Sequence, residues 1–86
     1  MNYMIRTKEW FYEKLINNGF QKDDMKRLVK HLDIYMLKTL EIGEDNFIFD
    51  FFFNEKIYVF YAKMFFKDTG FFIDLSCKGI LIPTDI

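Results

Sequence analysis

The sequence predicts an α+β fold: two N-terminal helices packed on a three- to four-stranded antiparallel β-meander. Three observations lead there. Apolar residues recur at helical spacing in the first half of the chain. From Phe47 onward they alternate with period two. Turn residues then separate the alternating runs closely enough to make each strand the neighbour of the next. The chain has 86 residues and no linker, repeat or low-complexity tract, so residues 1–86 are read as a single domain.

The first helix is expected from about Lys8 to Asn17. Thr7 can cap its free N–H groups, and Gly19 can take the left-handed conformation that ends it. Phe11, Tyr12, Leu15 and Ile16 fall on one arc, with Trp10 off it. The second helix is expected to start near Asp23 or Asp24, with acidic residues in its first turn. Met25, Leu28, Val29, Leu32, Tyr35, Met36 and Leu40 follow helical spacing, and Lys26, Arg27, Lys30 and Asp33 form the polar side. Gly43 is its natural stop. Residues 34–42 also read as a strand feeding a turn at Gly43–Asn46; the helical reading is preferred.

The strands carry a derivable register. Phe47, Phe49, Phe51 and Phe53 share one face. A two-residue loop at Glu55-Lys56 pairs Asn54 with Ile57 and puts Tyr58, Phe60, Ala62 and Met64 on that face. A loop at Lys67-Asp68-Thr69-Gly70 pairs Phe66 with Phe71 and adds Phe71, Ile73 and Leu75. Both turns agree on one register, as a specified sheet requires. A turn at Lys78-Gly79 can add a fourth strand, 80–82, which Pro83 stops.

By the same register the other face carries Ile48, Phe52, Ile57, Val59, Tyr61, Phe65 and Phe72, with a cross-strand ion pair between Lys63 and Asp74. Asp50 stands opposite Tyr61. Two helices cannot readily cover both faces. If both lie on the Phe47 side, an apolar patch stays open, and such patches mark interaction sites.

Composition narrows the function classes. A chain this short buries roughly 60–65% of its unfolded surface. The core must therefore be rich, and it is: 51% of residues are apolar and twelve are Phe. Twelve basic and thirteen acidic residues leave a net charge of −1, which gives no electrostatic reason to expect nucleic acid or an anionic membrane. The single cysteine, Cys77, excludes an intrachain disulfide framework and fits a reducing compartment. No apolar stretch reaches membrane-spanning length, and the first residues lack the apolar core of a secretion signal. A cytoplasmic protein is expected. Phe, Ile, Lys, Asn and Tyr make up 42 of the 86 residues, a bias that follows AT-rich codons and suggests an AT-rich bacterium, its phage or its plasmid.

No constellation specifies chemistry. His31 and Cys77 cannot hold zinc without carboxylates, and nothing local supplies the orienting group or oxyanion hole that a Cys–His nucleophile needs. Asp50, Asp74 and Lys63 loosely resemble a metal-dependent nuclease site, but as charges on a sheet face they also guard against aggregation. No phosphate-binding glycine loop occurs. Tyr61, Phe65 and Phe72 beside Lys63 could stack bases, yet the signature of the common RNA-binding sheet is missing.

The expectation is a non-enzymatic protein-binding module without cofactor or metal. It would be an inhibitor or accessory factor of a phage or mobile element, meeting its partner through Phe52, Val59, Tyr61, Phe65 and Phe72. The alternative is a homodimer that seals this face on itself around a small-ligand pocket.

Overall fold

The computed structural model describes residues 3–7, 9–68 and 70–83, with residues 9–11 described in their backbone only. Among the described residues six elements follow one another: β1 (Met4–Arg6), α1 (Glu9–Asn17), α2 (Lys22–Glu41), β2 (Asn46–Phe53), β3 (Lys56–Lys67) and β4 (Gly70–Leu81). The fold is α+β. Its four strands form one mixed sheet in the order β1-β4-β3-β2, with β1 parallel to β4 and the other pairs antiparallel.

Two expectations are corrected here. The helices are not the first elements, because β1 precedes them. The fourth strand is β1 and not residues 80–82. Ile80 and Leu81 instead continue β4, opposite Tyr58 and Ile57, past a bulge at Lys78. The physical reason is ladder length: β3 has twelve residues, and a turn at Lys78-Gly79 would leave its first ones without partners on that side.

Both helices end in the same way. Gly19, at φ 94°, follows α1; its N–H donates to the Ile16 carbonyl (2.9 Å) and the Phe20 N–H to the Leu15 carbonyl (3.0 Å). This is the Schellman pattern, completed by burial of Leu15 and Phe20 in the core. Gly43, at φ 74°, repeats it after α2, with the Glu44 N–H donating to the Thr39 carbonyl (3.0 Å). At the start of α2, the Asp24 carboxylate accepts the Gln21 N–H at 2.9 Å. Residues 34–41 are therefore helix, held by Met36, Thr39 and Leu40 on the core side. The arc read on α1 is narrower than expected. Leu15 is buried, whereas Tyr12 and Ile16 are exposed. The Thr7 cap at Lys8, the side chains of Trp10 and Phe11, and Thr69 of the last loop lie outside the described residues.

One core joins Leu15, Phe20, Leu28, Leu32 and Met36 of the helical layer to the inward row of the sheet: Phe47, Phe49, Phe51, Phe53, Tyr58, Phe60, Ala62, Met64, Ile73 and Leu75. Both helices thus lie on one face of the sheet. Along β2, a helical step of four residues (about 6.0 Å) nearly matches two strand residues (about 6.6 Å). Arg27, His31 and Tyr35 use that match to cover the Phe row. The Arg27 guanidinium sits 4.7 Å from the Phe51 ring centroid, His31 meets Phe51 edge-on at 5.5 Å, and Tyr35 stacks on Phe49 at 5.6 Å.

The β2–β3 register is shifted by two residues from expectation. The turn is Asn54-Glu55, both with positive φ, and Phe53 pairs with Lys56. Asn tolerates the left-handed conformation better than Glu or Lys, so the loop moves back to begin on it. A shift of two preserves every face. At the other turn Phe66 pairs with Phe71, as expected.

A candidate interface on the open sheet face

The face away from the helices is built from four strands. Their alternation brings up Met4 and Arg6 from β1, Phe72 and Asp74 from β4, Val59, Tyr61, Lys63 and Phe65 from β3, and Ile48, Asp50 and Phe52 from β2. Met4, Ile48 and Phe52 are 58–61% exposed, values far from those of the opposite face, where Phe51 is 1% exposed. Val59, Tyr61, Phe65 and Phe72 are half-buried.

All five residues singled out by sequence fall on this face, in three groups along it. Phe65 and Phe72 are direct cross-strand partners. Tyr61 lies in the middle, between Ile48 and Ser76. Val59 and Phe52 lie toward the β2–β3 turn. From Ile57 to Phe65 the face runs roughly 26 Å at the rise of an extended strand. Sequence reasoning missed Met4 and Arg6, which arrive on a three-residue strand with no periodic signal.

Cations lie over the half-buried rings. The Arg6 guanidinium is 4.9 Å from the Phe72 centroid and 5.6 Å from that of Phe65. The ammonium groups of Lys63, Lys67 and Lys78 lie 5.9, 5.8 and 5.0 Å from the centroids of Phe65, Phe72 and Tyr61. Such contacts combine ring quadrupole attraction with burial of the alkyl stems.

The ion pairs differ from expectation. Lys63 does stand opposite Asp74, but its ammonium donates to Asp45 Oδ2 at 2.6 Å, and Asp74 accepts from Arg6 Nε at 2.6 Å. The hydrogen bond from Lys63, helped by one from Asn46, holds the Asp45 carboxyl below the usual carboxylate range. Lys67 and Lys78 have no acidic partner among the described residues.

The loose nuclease-like trio is not assembled. With the corrected register Asp50 faces Val59, four residues along β3 from Lys63, a gap of roughly 13 Å at the usual strand rise. His31 and Cys77 are engaged elsewhere. His31 Nδ1 donates to the Arg27 carbonyl at 2.9 Å, and the Cys77 thiol donates to the Gly79 carbonyl at 3.3 Å. Among the described residues no three His, Cys, Asp or Glu side chains gather as a metal site, and no helix is long and apolar enough to cross a membrane.

No protein-family model matches the chain, no curated protein matches it, and no solved structure matches it.

Proposed function

We propose that this chain is a small protein-binding module whose partner docks on the open sheet face, over Phe52, Val59, Tyr61, Phe65 and Phe72. The observation that supports this reading is the asymmetry of the sheet. Both helices serve one face, and the other offers exposed Met4, Ile48 and Phe52 around half-buried rings. Exposed apolar side chains that gather on one sheet face mark interaction sites. Aromatic rings make good anchors, because they bury large area at low entropic cost. The cations over the rings favour a partner with an apolar centre and an acidic rim. A domain of this kind would act by occupying its partner, as an inhibitor or accessory factor does. We place it in the cytoplasm, where the free thiol of Cys77 is at home.

The test begins with mass in solution by light scattering, over dilution on the order of a hundredfold. A monomer is expected. Affinity capture is then run with the wild type, Phe52→Asp, Tyr61→Asp and the helix-side control Lys30→Glu. A partner held by the wild type and the control, but lost by both sheet-face variants with unchanged far-UV circular dichroism, is the expected result. Capture that survives Phe52→Asp and Tyr61→Asp removes the proposal. A stable dimer dissociated by those two substitutions replaces the foreign partner with a second copy of the chain.

A further inference from the structure

The outer edge of β4 carries an incomplete ladder. β1 pairs with Phe72, Ile73 and Asp74 only, and among the described residues no strand continues it along β4 to Leu81. Backbone parity tells which groups are left over. Lys56 closes the β2–β3 turn in a mutually bonded pair with Phe53, so Tyr58 and Phe60, on the same parity, give their backbone groups to β2. Their partners on the other side, Ile80 and Cys77, therefore turn their N–H and C=O groups away from β3, to the outer edge. Among the described residues no turn or loop bond reaches those four groups, and the Cys77 thiol bonds instead to the Gly79 carbonyl at 3.3 Å. An edge of this kind is ready to accept one more strand.

Three features define the occupant. The open groups are backbone donors and acceptors in ladder order, which an extended chain matches. Under the same stretch, between α1 and β4, lies a cavity of about 330 Å³ lined by Leu15, Cys77, Gly79 and Ile80, with room for an apolar side chain. On the opposite side, Lys78 is the extra residue of the β4 bulge, because Val59 pairs with Gly79 and Phe60 with Cys77. Its ammonium lies over Tyr61 on the open face and has no acidic partner among the described residues. An acidic side chain on the neighbouring strand would complement it. A second copy of the chain fits worse: laid antiparallel on residues 75–81, it would centre Lys78 on its own duplicate, and like charges directly opposite destabilise a pair.

We propose that the β4 edge beyond β1 binds an extended peptide of alternating apolar and acidic residues, as an antiparallel strand in line with β1. The peptide's apolar side chains turn toward α1 and the cavity, and its acidic ones toward Lys78. In an antiparallel pair the residues opposite Cys77 and Ile80 share their face, so the apolar residues of the peptide are the ones whose backbone bonds to β4. The site is separate from the open face and does not rest on the function proposed for it.

The probe is the acetylated and amidated hexapeptide Thr-Leu-Glu-Leu-Glu-Thr, read on the full chain by amide shifts and amide exchange in NMR. In the free protein the Cys77 and Ile80 amides are expected to exchange fast and those of Gly79 and Leu81 slowly. Saturating peptide is expected to shift the first two and to slow their exchange by about tenfold or more. N-methylation of both leucines removes the bonding N–H groups and is expected to weaken binding about tenfold or more, whereas N-methylation of both glutamates leaves it unchanged. Ile80→Pro removes only an outward N–H, as edge positions tolerate. It is expected to keep its circular dichroism and to bind the peptide about tenfold more weakly. Lys78→Gln is expected to erase the preference for the peptide over its glutamine counterpart, and Phe52→Asp to leave binding intact. A slowly exchanging Ile80 amide in the free protein, unmoved Cys77 and Ile80 amides, or full binding by the N-methyl-leucine form would each overturn the proposal. Loss of binding in Phe52→Asp would move the peptide to the open face, and a dimer without peptide that Ile80→Pro dissociates would give the edge to a second copy; either result overturns it too.

Discussion

Tyr3 shows how one side chain can fasten a terminus. Its hydroxyl donates to Asp33 Oδ1 at 2.6 Å, and its ring meets Phe71 edge-on at 5.7 Å, so it joins the start of β1 to both α2 and β4. Burial, followed by the hydrogen bond to Asp33, raises its pKa well above that of a free tyrosine. A group with a raised folded pKa gives its full stability below its unfolded value and loses it as pH climbs through the folded one. The Tyr3–Asp33 contribution is therefore constant through neutral pH and drains away only in strong alkali. Tyr3→Phe keeps the ring and removes the bond, at an expected cost of about 1 kcal/mol, below the range of about 1.5–3 kcal/mol for a bond to a charged group because the pair is only part-buried. Urea melts at pH 7 should show that loss, and an equal stability of the two proteins there would mean the bond contributes nothing. Asp33 illustrates what single residues conceal in sequence. On helical spacing it belongs to the solvated side of α2, together with Arg27. Arg27 in fact lies over Phe51 and donates to the Phe52 carbonyl at 2.6 Å. Lys63 and Asp74 are legible as cross-strand neighbours, but which acid each cation chooses depends on every other charge nearby. Arg6 comes from a strand the sequence does not announce.

At the scale of elements, what alternates or repeats was readable, and what is short or strained was not. Eight alternating residues in β2 and twelve in β3 define their faces however the turn is placed, and those faces survived an error of two residues in register. Helical spacing carried α2 through residues 34–41, where propensity alone was ambiguous. β1 has three residues, and Arg6 meets its partner 68 positions away, so no local pattern could reveal the pairing. The β2–β3 turn lacks the glycine that usually marks such turns, so the sequence pattern places it one residue late. Asn54 and Glu55 hold φ values of 51° and 60°, and left-handed backbone costs a residue other than glycine about 1–2 kcal/mol. Part of that is offset when glycine's greater unfolded freedom is counted. Glu55→Gly should therefore stabilise the fold by about 0.5–1 kcal/mol. Lys56→Gly, which falls within β3, should destabilise it by a similar amount. Urea midpoints at unchanged m-value would separate the two, and the reverse order would restore the turn to Glu55-Lys56.

At the scale of the whole molecule, a sheet covered on one side has an open face and two edges, and the β2 edge is the more exposed liability. Phe53 and Lys56 close the two-residue turn as a mutually bonded pair, and the Met64 N–H bonds to the Asp45 carbonyl at 2.7 Å with the same parity. The odd-numbered residues of β2 therefore bond to β3, and the backbone groups of Asn46, Ile48, Asp50 and Phe52 point outward. Arg27 caps the Phe52 carbonyl. The rest of this edge belongs to a strand of sequence NFIFDFFF, in which Asp50 is the one charge. Long, flat, apolar edges template further strands, and a single charge placed on one is a common guard, because burying it against a second strand leaves it unpaired. Asp50 stands opposite Val59 and not, as the sequence register has it, opposite Tyr61, and a charge there fits a guard on the edge. Asp50→Val should then assemble in a concentration-dependent way, seen as thioflavin binding and growing light scatter, while the monomer at high dilution keeps its circular dichroism. Asp50→Lys keeps a charge at the same point and should stay dispersed. Assembly of both variants would mean that the sign of the charge matters more than its presence, and assembly of neither would mean that the Arg27 cap and the twist of the strand protect the edge by themselves. Adding Tyr61→Asp to Asp50→Val separates edge from face, since growth along the β2 edge should continue with the aromatic surface disabled.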